Sequence, residues 1–178
     1  YAERFGKEGA FITKATAQLM RDFGCVQSPI NAYMLNLGLE SLHVRMARHC
    51  ENGQAVAEFL ASHPKIAYVN YCGLPGDKYH AVAEKYLPNG SCGVVSFGVK
   101  GGREAAAAFM GHLKIAAIET HVADARTCCL HPASSTHRQM NDEQLIAAGV
   151  QPDLVRMSCG LEDKNDLIHD IAQALDQI

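Results

Sequence analysis

The run Pro152-Asp153-Leu154-Val155-Arg156-Met157-Ser158-Cys159-Gly160-Leu161-Glu162 reads as one strand followed by a turn. Strand side chains alternate, so Leu154, Arg156 and Ser158 face one way while Val155, Met157 and Cys159 face the other. The second set suits a face packed under helices. The first set looks toward a cleft or a partner surface. Immediately downstream, Asp163 is placed to cap a helix in which Leu167, Ile168, Ile171, Ala174 and Leu175 recur at helical spacing. Immediately upstream, Asn141 with Gln144 forms a capping-box pattern for a short helix ending at Gly149. Helix, strand and helix in succession make the end of the chain an α/β arrangement.

Working further upstream, Lys114 to Ile118 and Cys92 to Val99 are strand-like, and Gly101-Gly102 opens an alanine-rich helix through His112. Ile66 to Tyr71 is another strand, followed by the turn Gly73-Leu74-Pro75-Gly76 and a helix that Asp77 caps and that ends near Leu87. Between Glu119 and Met140 no periodicity is sustained, and a stretch of that length in a compact domain is more often functional than idle. Before Pro64 the character is helical throughout. Phe11, Ile12, Ala15, Leu19 and Met20 share one face of a helix over residues 9–23, and Gly24 follows it. Ser28-Pro29 then starts a second helix, which Gly38 is expected to interrupt, and the helical pattern extends to Ser62-His63-Pro64. The expectation is a mixed α/β fold: a roughly four-stranded sheet covered by helices and preceded by a long helical arm, with a domain boundary near Pro64 that separates 1–63 from 64–178.

The composition bounds the function classes. At 178 residues and 48% hydrophobic content the chain can bury a core. Sixteen basic against nineteen acidic residues, with the basic ones scattered, leave no stripe for nucleic acid and no patch for an anionic membrane. No apolar run approaches the ~20 residues of a membrane span, so a reducing cytoplasm is the expected setting. Seven cysteines occur without the short Cys-x-x-Cys pairs of a zinc or redox site, and most read as small buried hydrophobes. Cys128 and Cys129, being adjacent, would point to opposite sides of a strand. No metal is expected. Gly-x-Ser-x-Gly, P-loop and dinucleotide spacings are also missing, which disfavours a hydrolase and a nucleotide enzyme.

Arg156 is the residue with chemistry to offer. Its guanidinium stays charged at any physiological pH and matches a carboxylate with two parallel donors. From spacing alone two partners are open to it: the carboxylate of a small acid, or an internal bridge to Asp153 or Glu162. A second polar cluster, His131-Pro132-Ala133-Ser134-Ser135-Thr136-His137-Arg138, is either a further wall of a site or a loop tied by its own turn hydrogen bonds.

Several runs taken together carry a resemblance. They are Ser28-Pro29-Ile30-Asn31-Ala32; Gly38 to Met46 with His49 and Asn52; Val69-Asn70-Tyr71 with Gly73-Leu74-Pro75; Ser96-Phe97-Gly98 with Gly101-Gly102; His131 to Gln139; and Pro152 to Arg156. In this order they resemble the pyridoxal-phosphate-dependent enzymes of cysteine and methionine metabolism, and among these the sulfhydrylase branch, over essentially the whole chain. The resemblance implies the C-terminal part of a fold-type I enzyme, with 1–63 as the tail of the large domain plus connecting helices and 64–178 as the small domain. It implies pyridoxal 5'-phosphate as the parent's cofactor and γ-replacement on O-acetyl-L-homoserine by sulfide or a thiol. It assigns the substrate α-carboxylate to Arg156, and puts Arg126 and Thr127 where the family has an acidic residue and a serine near the substrate. Thr136 and His137 match a Thr-His pair of the pocket wall.

The family's Schiff-base lysine, in a Ser-x-Thr-Lys context, is expected upstream. Thr13-Lys14 does not supply it, because Phe11 stands where the serine should be. The chain alone is therefore expected to be inactive, and the parent to be a homo-oligomer, a tetramer in the family. The alternatives are a sister activity, cystathionine γ-synthase or methionine γ-lyase, and a non-catalytic oligomerisation module.

Overall fold

A computed structural model describes residues 1–178, in two compact units, Tyr1–Leu42 and His43–Ile178. In the first, α1 (Ala2–Lys14) bends at Gly6, whose φ of 73° lies in the left-handed region. The helix runs on through a π-helical stretch (Ala15–Met20) into α2 (Arg21–Phe23) and stops at Gly24, φ 66°. The glycine stop matches the sequence pattern, whereas the helix begins well before the expected Gly9. Ser28 caps α3 (Pro29–Glu40) by accepting the Asn31 N–H at 3.2 Å, with Pro29 in the first turn where its missing N–H costs nothing. Gly38 does not interrupt α3, and the break comes at Ser41 instead. A glycine inside a helix costs only about 1 kcal/mol relative to alanine. No residue of α1, α2 or α3 is buried, and the apolar Phe11 and Phe23 are 82% and 75% exposed.

The second unit is built around one five-stranded sheet in the order β1-β2-β5-β4-β3. Its elements follow α4 (Leu42–Ser62): β1 (Ile66–Asn70), α5 (His80–Tyr86), β2 (Val94–Val99), α6 (Gly102–His112), β3 (Ala117–Ile118), β4 (Cys128–Leu130), α7 (Asp142–Ala147), β5 (Leu154–Ser158) and α8 (Lys164–Asp176). The first three pairings across the sheet are antiparallel, and β4 with β3 is parallel. The count is five strands, one more than the sequence pattern led us to expect. The extra one, β4, lies in the stretch read as unbroken loop. It is three residues long and buried on both faces, so it shows no alternation of apolar and polar residues. Asp77 does not cap α5 directly; its carboxylate accepts the Tyr79 N–H at 2.8 Å in the turn before it.

One face of the sheet is the core. Val95, Phe97 and Val99 of β2, Val155 and Met157 of β5 and Cys129 of β4 lie in register on that face and pack in one cluster with Val56, Ala57 and Leu60 of α4, with α6 and with α8. Phe97 meets Phe109 of α6 edge to face, ring centres 5.8 Å apart, a favoured aromatic geometry. Asp170 of α8 is a buried carboxylate that accepts the N–H groups of Lys114, Ile115 and Ala116, fixing the approach to β3. No helix of the chain is long and apolar enough to cross a membrane.

Candidate functional site

The other face of the sheet carries no helix of that core cluster. Across it runs a register row from β1 to β4: Asn70, Ser96, Arg156, Leu130. Residues 119–126 arch over this face. Arg156 is half-buried, and one guanidinium nitrogen donates to the Thr120 carbonyl at 2.8 Å. No carboxylate lies within ion-pair distance of it. Both internal partners open to it from spacing are engaged elsewhere. Asp153 accepts from the Tyr68 hydroxyl at 3.3 Å. Glu162 accepts the Thr127 N–H at 2.7 Å and the Thr127 hydroxyl at 2.8 Å.

The arch is pinned from several directions. Ala123, the one non-glycine residue with positive φ, gives its N–H to the Ser158 hydroxyl at 2.9 Å. Leu161 N–H reaches the Ala125 carbonyl, Ala117 N–H the Thr127 carbonyl, and Gly160 N–H the Thr127 hydroxyl. A β-carbon at Gly160 would stand 2.5 Å from the Ala125 carbonyl oxygen, so only glycine admits this closeness. From below, α4 holds the turn after β5. His49 Nδ1 donates to the Cys159 carbonyl at 2.7 Å, and the Asn52 amide donates to the carbonyls of Gly160 and Glu162. His49 and Asn52 entered the sequence reading only through the resemblance. Their signal was present, as two polar residues on the stripe His49, Asn52, Gly53, Val56, Ala57, Leu60 that α4 buries.

The other candidate residues are placed as follows. Arg126 is mostly exposed at the edge of the arch, with Glu119 and Asp124 near its guanidinium at 3.9 and 4.0 Å. Its backbone N–H, 3.0 Å from Asp124, holds that carboxyl below the usual carboxylate range. Thr127 is fully buried, and its hydroxyl is spent on Glu162 and Gly160. Thr136 and His137 form a surface pair, hydroxyl to Nδ1 at 2.9 Å. In the polar cluster before them, His131 is buried and ties the segment to the foot of β5: Nε2 donates to the Pro152 carbonyl and Nδ1 accepts from Ser134. Burial raises the thiols of Cys129 and Cys159, the latter to about 12, so these cysteines are packing groups.

No group of three or more histidine, cysteine or acidic side chains is arranged to hold a metal. Nor does this unit offer a lysine to anchor an aldehyde cofactor beside Arg156. Lys65 and Lys100 donate to backbone carbonyls, Lys164 to Glu51, and Lys78 and Lys85 lie over tyrosine rings. Lys114 lies beside α8 with His169. No step through a cofactor follows from the residues present.

The family model for Cys/Met metabolism PLP-dependent enzymes matches residues 6–176. The chain belongs to this family. Among its members, the O-acetyl-L-homoserine sulfhydrylase of Leptospira meyeri is 45% identical over 95% of this chain and 38% of its own length. The O-acetyl-L-homoserine sulfhydrylase 1 of Thermus thermophilus is 43% identical over 97% and 41%, and the homocysteine synthase of Schizosaccharomyces pombe is 42% identical over 99% and 41%. A crystal structure described as an O-acetylhomoserine (thiol)-lyase of Campylobacter jejuni, with N'-pyridoxyl-lysine-5'-monophosphate, superposes with a TM-score of 0.85 at 37% identity, covering 94% of this chain and 40% of that one. The chain thus spans about two fifths of the length of the family relatives it matches.

Proposed function

We propose that this chain provides the substrate α-carboxylate wall of a pyridoxal-phosphate-dependent O-acetyl-L-homoserine sulfhydrylase, which replaces acetate by sulfide or a thiol to give homocysteine or methionine. One observation carries the reading: Arg156 is half-buried on the sheet face away from the helical core, held by a backbone carbonyl and facing no carboxylate of its own chain. A guanidinium positioned in this way is ready for two parallel hydrogen bonds to an acid. Arg126 adds positive charge at the edge, Thr127 holds the arch from beneath, and Thr136 with His137 forms a further wall. Residues 1–63 serve as the tail of the large domain with its connecting helices, and 64–178 as the small domain. The Schiff-base lysine belongs to the parent's upstream part, and the parent works as a cytoplasmic homotetramer. The exposed apolar residues of α1 and α3 favour such an assembly.

The test is Arg156→Ala in the full-length enzyme. A charged hydrogen-bonded contact contributes about 1.5–3 kcal/mol, so KM for O-acetyl-L-homoserine should rise about 10- to 150-fold while the fold is kept. An unchanged KM defeats the reading.

A further inference from the structure

Beside Arg156 on the same sheet face, a cavity of about 170 Å³ lies between the start of α4, the arch and the end of β5. Met46, Cys92, Val94, Val122 and Cys159 make most of its wall apolar, Ser158 lines it as well, and no lysine or arginine does. Met46 and Val122 are exposed, so the cavity is open to solvent. Its polar side chains are committed, with one exception. His49 Nδ1 donates to the Cys159 carbonyl and its Nε2 is sealed from solvent, and the Cys92 thiol points to the Val94 carbonyl. The exception is Ser158. Its hydroxyl, on a residue only 2% exposed, accepts the Ala123 N–H at 2.9 Å, while its own proton goes to no acceptor of the chain. A hydroxyl has a donor as well as its lone pairs, so a buried donor is left over for a ligand.

From this geometry we infer that the cavity is an acyl pocket: it takes the acetyl group of an O-acyl amino acid whose α-carboxylate lies on Arg156, and the ester carbonyl accepts the Ser158 O–H. Ser158 is two residues beyond Arg156 on one face of β5, an offset of about 7 Å along the strand. In O-acetyl-L-homoserine an extended chain roughly 6 Å long separates the carboxyl carbon from the ester carbonyl carbon, so one molecule reaches both groups. A dry cavity of about 150 Å³ admits a benzene ring, and this one therefore holds the three heavy atoms of an acetyl group and the methylene next to it. The apolar wall suits the methyl, and the free donor suits the carbonyl. A longer acyl group ending in a second carboxylate meets no cation in the lining, and an unpaired charge is expensive to take out of water. The inference deepens the proposed sulfhydrylase reading and rests on it, since Arg156 anchors the acid end of the same substrate.

The experiment measures competitive inhibition of the full-length enzyme by two amino acids without a leaving group: L-2-amino-6-oxoheptanoate, which keeps the carbonyl, and L-2-aminoheptanoate, which lacks it. Ser158→Ala also removes the acceptor of the Ala123 N–H, but a loosened arch weakens both inhibitors alike, whereas a lost hydrogen bond weakens the oxo compound alone. The preference for the oxo compound should therefore drop roughly 2- to 12-fold in Ser158→Ala, the worth of one net hydrogen bond. In Val94→Phe, which fills the cavity, both KI values should rise about fourfold or more, the worth of one buried methyl group, while that of L-2-aminobutyrate, too short to reach the cavity, stays in place. The wild-type enzyme should use O-acetyl-L-homoserine with a kcat/KM at least about tenfold above that for the O-succinyl ester. A preference unmoved by Ser158→Ala, long-chain KI values unmoved by Val94→Phe, or equal use of the two esters overturns the inference. If these arms fail while Arg156→Ala still raises the amino-acid KM, only the acyl pocket is lost. If Arg156→Ala does nothing while Ser158→Ala removes the preference, the acyl pocket stands and the carboxylate wall falls.

Discussion

Glu162 explains why Arg156 is left available. Both its carboxylate oxygens are taken by Thr127, one by the backbone N–H and one by the hydroxyl, so this acid close to Arg156 in sequence is committed to holding the arch. Replacing it by glutamine keeps the shape but removes the charge and turns an NH2 toward two donors. Glu162→Gln should therefore lower stability by about 1–3 kcal/mol, read as a fall in urea midpoint with unchanged slope; an unaltered midpoint would show that the clamp contributes nothing. Alternation along the last strand was enough to predict that Arg156 would face away from the core, because that rule needs only the position in the strand. Which acid it would meet was not legible, since Asp153 and Glu162 are both near along the chain and only the fold directs one to Tyr68 and the other to Thr127. The buried hydroxyl of Thr127 was likewise beyond reach, because its partners are 33 and 35 residues away.

Among the elements, helix ends were the most legible. Ser28, Asn141 and Asp163 all cap the helices assigned to them, and Asn141 with Gln144 closes both bonds of a capping box. Such signals are local, so three or four residues suffice to see them. Short strands were the least legible: β4 spans three residues whose pairing with β5 is set by the sheet and not by any pattern of their own. The cap on α8 makes a pH prediction. The Asn165 backbone N–H holds the Asp163 carboxyl below its ordinary value of 3.8. A lowered folded-state value means the carboxylate stabilises the fold above pH 3.8 and loses that contribution as pH falls through the lower folded value. Asparagine caps as well but does not titrate in this range. Asp163→Asn should thus melt close to wild type at pH 7 and gain on it between about pH 4 and pH 2, as compared by Tm across that window. A gap that stays constant with pH would refute the assignment.

On the scale of the whole molecule, the two units differ in how they keep apolar groups from water. The unit His43–Ile178 has its own core, with Phe97, Phe109, Leu60, Met157 and Ile171 almost fully enclosed. The unit Tyr1–Leu42 encloses none of its own, and Phe11, Phe23, Val26 and Ile30 stand out in solvent. Large exposed apolar surface is a site of association. A chain cut to residues 43–178 should keep a cooperative thermal transition and bind several-fold less hydrophobic dye than the full chain. Loss of the transition, or dye binding that stays the same, would count against independent folding of the second unit. Helical character before Pro64 and alternating strands after it were readable from composition and period alone, yet periodicity marks an apolar face without saying what covers it.

The strand order β1-β2-β5-β4-β3 carries one more consequence, for synthesis on the ribosome. No two antiparallel neighbours are joined by a tight hairpin, and β2 waits for β5, more than fifty residues later, as one of its two partners. Contacts between distant segments form slowly. Until Leu154–Ser158 has left the exit tunnel, one edge of β2 has no partner strand on the nascent polypeptide, which makes that interval the time when a chaperone would be most useful to it.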